Sequence, residues 1–256
     1  MLISILNMLW GSSPIIALNA KRKWDVQERL DETFTSRRDL FTPIFFISLI
    51  FRLLYGSLMA KDKKCAISLT YLDESWVRDQ KAQPTEGVSF ISTNDALTSW
   101  FFENADEEDS SPCVGLMAVN GRGRVENCED TDAGNYEDMI YYLGPEDHGT
   151  PSLIRKSLKV MNRVGNTRMP SPLARLRMRG SLVTNWCSFC QMPPNSRVLG
   201  CEIDLHVPFY KASDLPYGWS LLVIFRASKE KIGLCCAGVP NFLERIKGPP
   251  LGEPIV

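Results

Sequence analysis

Between residues 66 and 237 the chain carries short runs rich in β-branched and aromatic residues, at about 66–71, 88–92, 114–119, 181–186, 201–207, 220–226 and 231–237. Amphipathic helical patterns at about 94–103 and 151–163 interrupt them, without a strict strand–helix–strand rhythm. Runs of this length bounded by Gly, Pro, Asn and Asp read as strands, whereas apolar residues three and four apart form one face of a helix. The mixture predicts an α+β fold, a layered mixed β-sheet with packed helices. The last two runs, "SLLVIFRA" and "IGLCCAG", are joined by "SKEK", which predicts a hairpin.

One junction bears on both fold and function. In "GVSFISTNDALTSWFF", Gly87 to Phe102, the residues Val88, Phe90 and Ile91 predict a strand. Ala96, Leu97, Trp100 and Phe101 then recur at helical spacing. Thr93, Asn94 or Asp95 would cap that helix, an effect of about 1 kcal/mol. "DESWVRDQKAQ" predicts a helix stopped by Pro84, and "GTPSLIRKSLKVMNRV" one that starts near Pro151. With 256 residues the chain can hold one large domain or two small ones. The expected division is an N-terminal apolar and charged segment over 1–63, a folded lobe over 64–245 and a tail over 246–256.

The N-terminal segment contains the apolar stretch "TPIFFISLIFRLLYGSLMA", with a helix expected from Pro43 to Met59. A helix apolar nearly all round must be buried in protein or in lipid. Arg52 sits in its middle, where a cation costs about 2.5–3.5 kcal/mol in a bilayer. Basic residues flank both ends (Arg37 and Arg38; Lys61, Lys63 and Lys64), so no orientation is favoured. Two readings stay open: a helix whose cover lies elsewhere in a cytoplasmic protein, or a membrane-associated one. The opening "MLISILNMLWGSSPIIALNA" has no basic residues ahead of its apolar run and fits a signal peptide badly.

A formal net charge of −1 gives no reason to expect nucleic acid as a partner. Of the eight cysteines, those of "CSFC" (Cys187, Cys190) and "CC" (Cys235, Cys236) could supply four thiolates. Adjacent strand residues point to opposite faces, which suits zinc poorly, so no metal site is assigned and buried reduced thiols are expected. "RMPSPLARLRMRG" gathers Arg168, Arg175, Arg177 and Arg179 in a solvated or anion-facing loop. The glycines of "NGRGR" permit a tight turn, and Arg122 and Arg124 could pair with an internal carboxylate or with a phosphate. No Walker or dinucleotide fingerprint and no Gly-x-Ser-x-Gly elbow occurs. Of the two histidines, His148 in "EDHGTP" is expected to be solvated and His206 in "DLHVP" to be a hydrogen-bonded core residue.

Four stretches fall in a familiar order: "ISTNDALTSWFF", "LMAVNGRGRV", "DAGNY" with the following "PSLIRKSL", and "LVTNW". Together they resemble the second half of CoA-dependent acyltransferases of the BAHD and condensation types, over roughly residues 65–240. The counterpart of the family's Asp-Phe-Gly-Trp-Gly motif is "DLPYGW", Asp214 to Trp219, which keeps the Asp and the Gly-Trp pair but not the spacing. The resemblance implies one lobe of that fold and acyl transfer from a CoA thioester to an alcohol or amine. Acyl-CoA would be a co-substrate, with no permanently bound cofactor. It places Thr93, Asn94, Asp95, Asn135, Thr184, Trp186 and Asp214 along a substrate channel, and Arg122 and Arg124 at the CoA.

The chain departs from the family at its catalytic base, the histidine of a His-x-x-x-Asp motif. Neither His148 nor His206 is followed by Asp four residues on, and the region before Lys64 is shorter than the family's first half. No catalytic residue is therefore assigned. The expectation is a truncated or inactive acyltransferase-like protein, or one that pairs with a separate N-terminal catalytic lobe. The competing class is a non-enzymatic binding or membrane-peripheral protein anchored by the helix at 43–59.

Overall fold

The structure is a computed structural model that describes residues 23–34, 43–58, 65–83, 85, 87–106, 113–129, 132, 136–160, 179–187, 197–198, 201–202, 208, 215, 218–228 and 230–255. The described elements run α1 (Trp24–Phe34), α2 (Pro43–Leu58), β1 (Ala66–Leu72), α3 (Glu74–Ala82), α4 (Thr93–Asp106), β2 (Cys113–Asn120) and β3 (Glu137–Tyr142). They continue with α5 (Pro145–His148), α6 (Pro151–Val160), β4 (Arg179–Asn185), β5 (Arg197–Val198), β6 (Cys201–Glu202), β7 (Ser220–Arg226), β8 (Ile232–Gly238), α7 (Pro240–Arg245) and β9 (Leu251–Pro254).

One seven-stranded sheet, in the order β3-β2-β4-β7-β8-β1-β9, organises the molecule. Its centre is parallel: β2 pairs with β4 (Met117 beside Val183) and β4 with β7 (Thr184 beside Val223). The flanks are antiparallel, and β7 and β8 form the expected hairpin, with Leu221 opposite Ala237 and Arg226 opposite Ile232. This is the mixed sheet with packed helices that the strand and helix patterns predict.

Both faces of the hairpin are covered. Leu222, Ile224, Leu234 and Cys236 share a core with Leu97, Phe101 and Phe102 of α4. Val223, Phe225, Cys235 and Ala237 form a second core on the other face with Leu221 and Ile255. Cys235 and Cys236 thus lie on opposite faces, as the two-residue period of a strand requires. Burial pushes the Cys235 thiol up to about 11 and that of Cys236 higher still.

Several segments differ from expectation. Residues 88–92 are not a strand: 88 and 89 form a bend and 90–92 have no regular structure. Gly87 has φ +70°, which turns the chain out of an extended path. Phe90 then lies under the Arg155 guanidinium, 4.3 Å from it, while Ile91 is buried. Of the run at 201–207, Cys201–Glu202 pairs with β5 in a separate two-stranded sheet, and 203–207, with His206, lies outside the described residues.

Within the range expected to form a tail, 246–256, Leu251–Pro254 form the edge strand β9. Leu251 pairs with Leu72, and the Ile255 N–H donates to the Leu69 carbonyl at 2.9 Å. The strand β3, "EDMIYY", was not expected at all. Nor is the N-terminal segment wholly separate, because α1 buries Val26 and Leu30 completely in the core that α4 also lines.

The helix expected from Pro43 to Met59 is present as α2, Pro43–Leu58. Its 16 described residues span about 24 Å. No helix among the described residues is long and apolar enough to cross a membrane. Yet Ile44, Phe46, Ile47, Ile50, Phe51 and Leu54 all lie exposed on it.

Candidate functional site

The parallel centre of the sheet sends β2, β4 and β7 towards one end, where open sheets commonly bind ligands. The N-terminus of α4 meets β4 at that end, and its geometry follows from the sequence S-T-N-D. The Ser92 hydroxyl accepts from the Asp95 N–H at 3.2 Å, and the Ser92 N–H donates to Asp95 Oδ2 at 2.7 Å. This is a reciprocal capping box. The N-cap is therefore Ser92, not Thr93, Asn94 or Asp95, and Asp95 is its partner in the first turn.

Asp95 is completely buried, and its Oδ2 also accepts from Arg155 Nε of α6 at 2.7 Å. A buried carboxylate needs such a counter-charge, since an isolated one would cost several kcal/mol. Its Oδ1 has no hydrogen-bond partner among the described residues. Capping and ion pair together fix the turn and release Asn94 to face the strands.

Asn94 reaches the end of β4. Its Oδ1 accepts from Asn185 Nδ2 at 3.2 Å, and its Nδ2 lies 3.5 Å from the Met117 sulfur, which the Thr98 hydroxyl also approaches at 3.7 Å. Asn185 is held in turn, since its Oδ1 accepts from the Cys187 N–H at 2.9 Å. Trp186, the next residue, donates its N–H to the Ile224 carbonyl at 2.7 Å. The structure thus brings Asn94 to the strand that carries Thr184 and Trp186, each half-buried. Asn185, the unassigned middle residue of Thr-x-Trp, makes the link. Its position between two singled-out residues was the only signal that could have found it.

The arginine turn is held internally. Gly123 has φ +67°, so a glycine suits the tight turn. Arg122 donates from Nη2 (3.0 Å) and Nε (3.3 Å) to the Asp132 carbonyl and from Nη1 to Asn120 Oδ1 at 3.3 Å. Its guanidinium also lies over the Tyr136 ring at 5.2 Å. The Asp132 carboxylate pairs instead with Lys23, 2.9 Å away. That hydrogen bond raises the Lys23 ammonium pKa above its ordinary value. Arg124, by contrast, is exposed. Asn135, Asp214 and the arginines at 168, 175 and 177 lie outside the described residues.

His148 is not solvated, as its acidic neighbours suggested, but 1% exposed. Its ring packs edge-on to Phe102 and Tyr142, with centroids at 5.4 and 6.4 Å. The cause is α5, whose short turn rolls the histidine inwards while its carbonyl accepts from the Ser99 hydroxyl at 2.8 Å. Beside it the Tyr142 hydroxyl lies 2.6 Å from Ser157 Oγ, and burial drives the phenol pKa far above its usual range. Among the described residues no group of His, Cys, Asp and Glu could hold a metal ion.

No family model and no curated protein matches the chain. Among solved structures it is similar to F. sporotrichioides TRI101 complexed with coenzyme A and T-2, at 16% identity and a TM-score of 0.51, covering 76% of this chain and 52% of that one. F. graminearum TRI101 complexed with coenzyme A and T-2 mycotoxin follows at 14% identity and 0.50, covering 72% and 48%. The complex of the same protein with coenzyme A and deoxynivalenol gives 13% and 0.50, covering 72% and 47%. The chain spans about half the length of these structures. What it shares with them at such identity is the fold.

Proposed function

We propose that this chain is an acyltransferase-like lobe that takes part in acyl transfer from a CoA thioester to an alcohol or amine. The observation that supports this best is the Asn94–Asn185 link, which joins the helix start to the strand end inside a fold shared with CoA-complexed proteins. The lobe would wall a channel with Thr93, Asn94, Asp95, Asn135, Thr184, Trp186 and Asp214. Arg124 would meet a CoA phosphate, with Arg122 bracing the turn beneath it.

In such a reaction a base takes the acceptor's proton and the acceptor oxygen or nitrogen attacks the thioester carbonyl. The oxyanion collapses, the C–S bond breaks and the CoA sulfur leaves, to be protonated. Each side-chain amide carries two N–H groups, and Asn185 Nδ2 gives only one to Asn94. The other could stabilise a developing oxyanion at the end of β4. His148, 1% exposed beside the rings of Phe102 and Tyr142, is a poor candidate for the base. The base would come from a catalytic lobe, in the same polypeptide or another.

Calorimetric titration with coenzyme A tests this reading. Saturable binding that weakens on Arg124→Ala and on Asn185→Leu is expected, and absence of binding by the folded protein would overturn it. The exposed apolar residues of α2 favour a second reading, a binding or membrane-peripheral protein attached through that helix. Co-sedimentation with phosphatidylcholine vesicles, lost on Phe51→Glu, would support the second reading.

A further inference from the structure

The side of α4 turned away from Asn94 borders a groove of about 560 Å³. That volume falls in the range of small-ligand sites. α3, α4 and the start of α6 form its walls, with Trp76, Ile91, Ala96, Trp100 and Ser152 among the lining residues. The two indoles meet edge-to-face at 6.4 Å and 70°, and both are partly open to the groove.

The polar end of the groove is the N-terminus of the ten-residue α6. Helix starts carry partial positive charge and N–H groups without intrahelical acceptors. Pro151 has no N–H to offer. The Leu153 N–H is already satisfied by Thr150, at 3.0 Å from its carbonyl and 3.3 Å from its hydroxyl, and the Ile154 N–H also donates to that carbonyl. Ser152 is the exception. It is 9% exposed, it lines the groove, and its hydroxyl has no partner among the described residues. The neighbouring Ser99 hydroxyl is engaged by the His148 carbonyl, so it does not compete for a ligand.

We infer that this groove is a binding site for a small aromatic monocarboxylate, its ring against Trp76 and Trp100 and its carboxylate at Ser152. The helix start and the hydroxyl supply the anion contacts, and the indoles supply an apolar wall for a flat ring.

The test is titration of the full chain with 2-naphthoate, followed by tryptophan fluorescence, beside 2-naphthalenemethanol and acetate. Naphthoate should quench saturably, and the uncharged alcohol should bind at least about tenfold more weakly. Ser152→Asp should weaken naphthoate by about tenfold or more, while the fold survives, because Asp is favoured in the first turn of a helix. Circular dichroism checks that survival. Ser152→Ala, which keeps the helix start, should cost about threefold. Equal binding of acid and alcohol, unchanged binding in a folded Ser152→Asp protein, or no saturation below about 10 mM naphthoate would each overturn the inference.

Discussion

The helices α2 and α4 are both rich in large apolar residues, yet they end in opposite environments. Phe101 of α4 is completely buried, whereas Phe51 of α2 is 71% exposed. The difference lies in what surrounds the apolar residues. α4 has a capping box at its start, an ion pair from its first turn to α6, and a sheet face whose strands match its apolar side. α2 has no acidic residue in its first turn and no basic one in its last. Apolar content alone does not place a helix; polar contacts at its ends and a matching surface do.

The comparison breaks most visibly in the core. Phe101 meets Phe242 edge-to-face at 5.5 Å and packs within the α4–sheet core, so Phe101→Ala should cost about 3–5 kcal/mol. Urea unfolding measures this directly, and a loss below about 1 kcal/mol would mean that α4 is not seated as described. Next comes the ion pair. Arg155→Ala leaves the buried Asp95 carboxylate with the Ser92 N–H as its only donor among the described residues, and about 2–3 kcal/mol should be lost. Arg155→Lys should recover only part of that, since lysine lacks the planar fork of the guanidinium.

Ser92→Ala removes one half of the capping box and should cost about 1 kcal/mol. At the bottom of the scale, Phe51→Ser on α2 should change stability by no more than about 0.5 kcal/mol and raise solubility. A loss of several kcal/mol there, read by the same unfolding curves, would show that α2 is covered in solution after all.

The same contrast explains what the sequence disclosed. β1, β2, β4, β7 and β8 are legible because their β-branched and aromatic residues are continuous and end at turn residues. β3 begins with two acids and β9 holds a glycine and a proline, so neither reads as a strand until a partner supplies the pairing. The run at 88–92 misleads for the opposite reason: its residues favour a strand, but Arg155 and the core claim Phe90 and Ile91 first. In the candidate site the local part, S-x-x-D, is visible as a capping signature. The Asn94–Asn185 and Asp95–Arg155 pairs join residues 91 and 60 positions apart, and no spacing rule connects them. His148 was misplaced because neighbouring charges are a local cue, whereas its burial depends on Phe102 and Tyr142 from other elements.

Under the proposed function, this chain would wall an acyl-transfer site whose base comes from elsewhere. Release of free CoA thiol from acetyl-CoA, assayed with purified chain and a mixture of simple alcohols and amines, tests it most directly. Release at the rate of the protein-free control is expected, with coenzyme A nevertheless bound saturably in the same preparation. Robust thiol release that disappears in a folded His148→Ala or His206→Ala protein would contradict it, and would place the base within this chain.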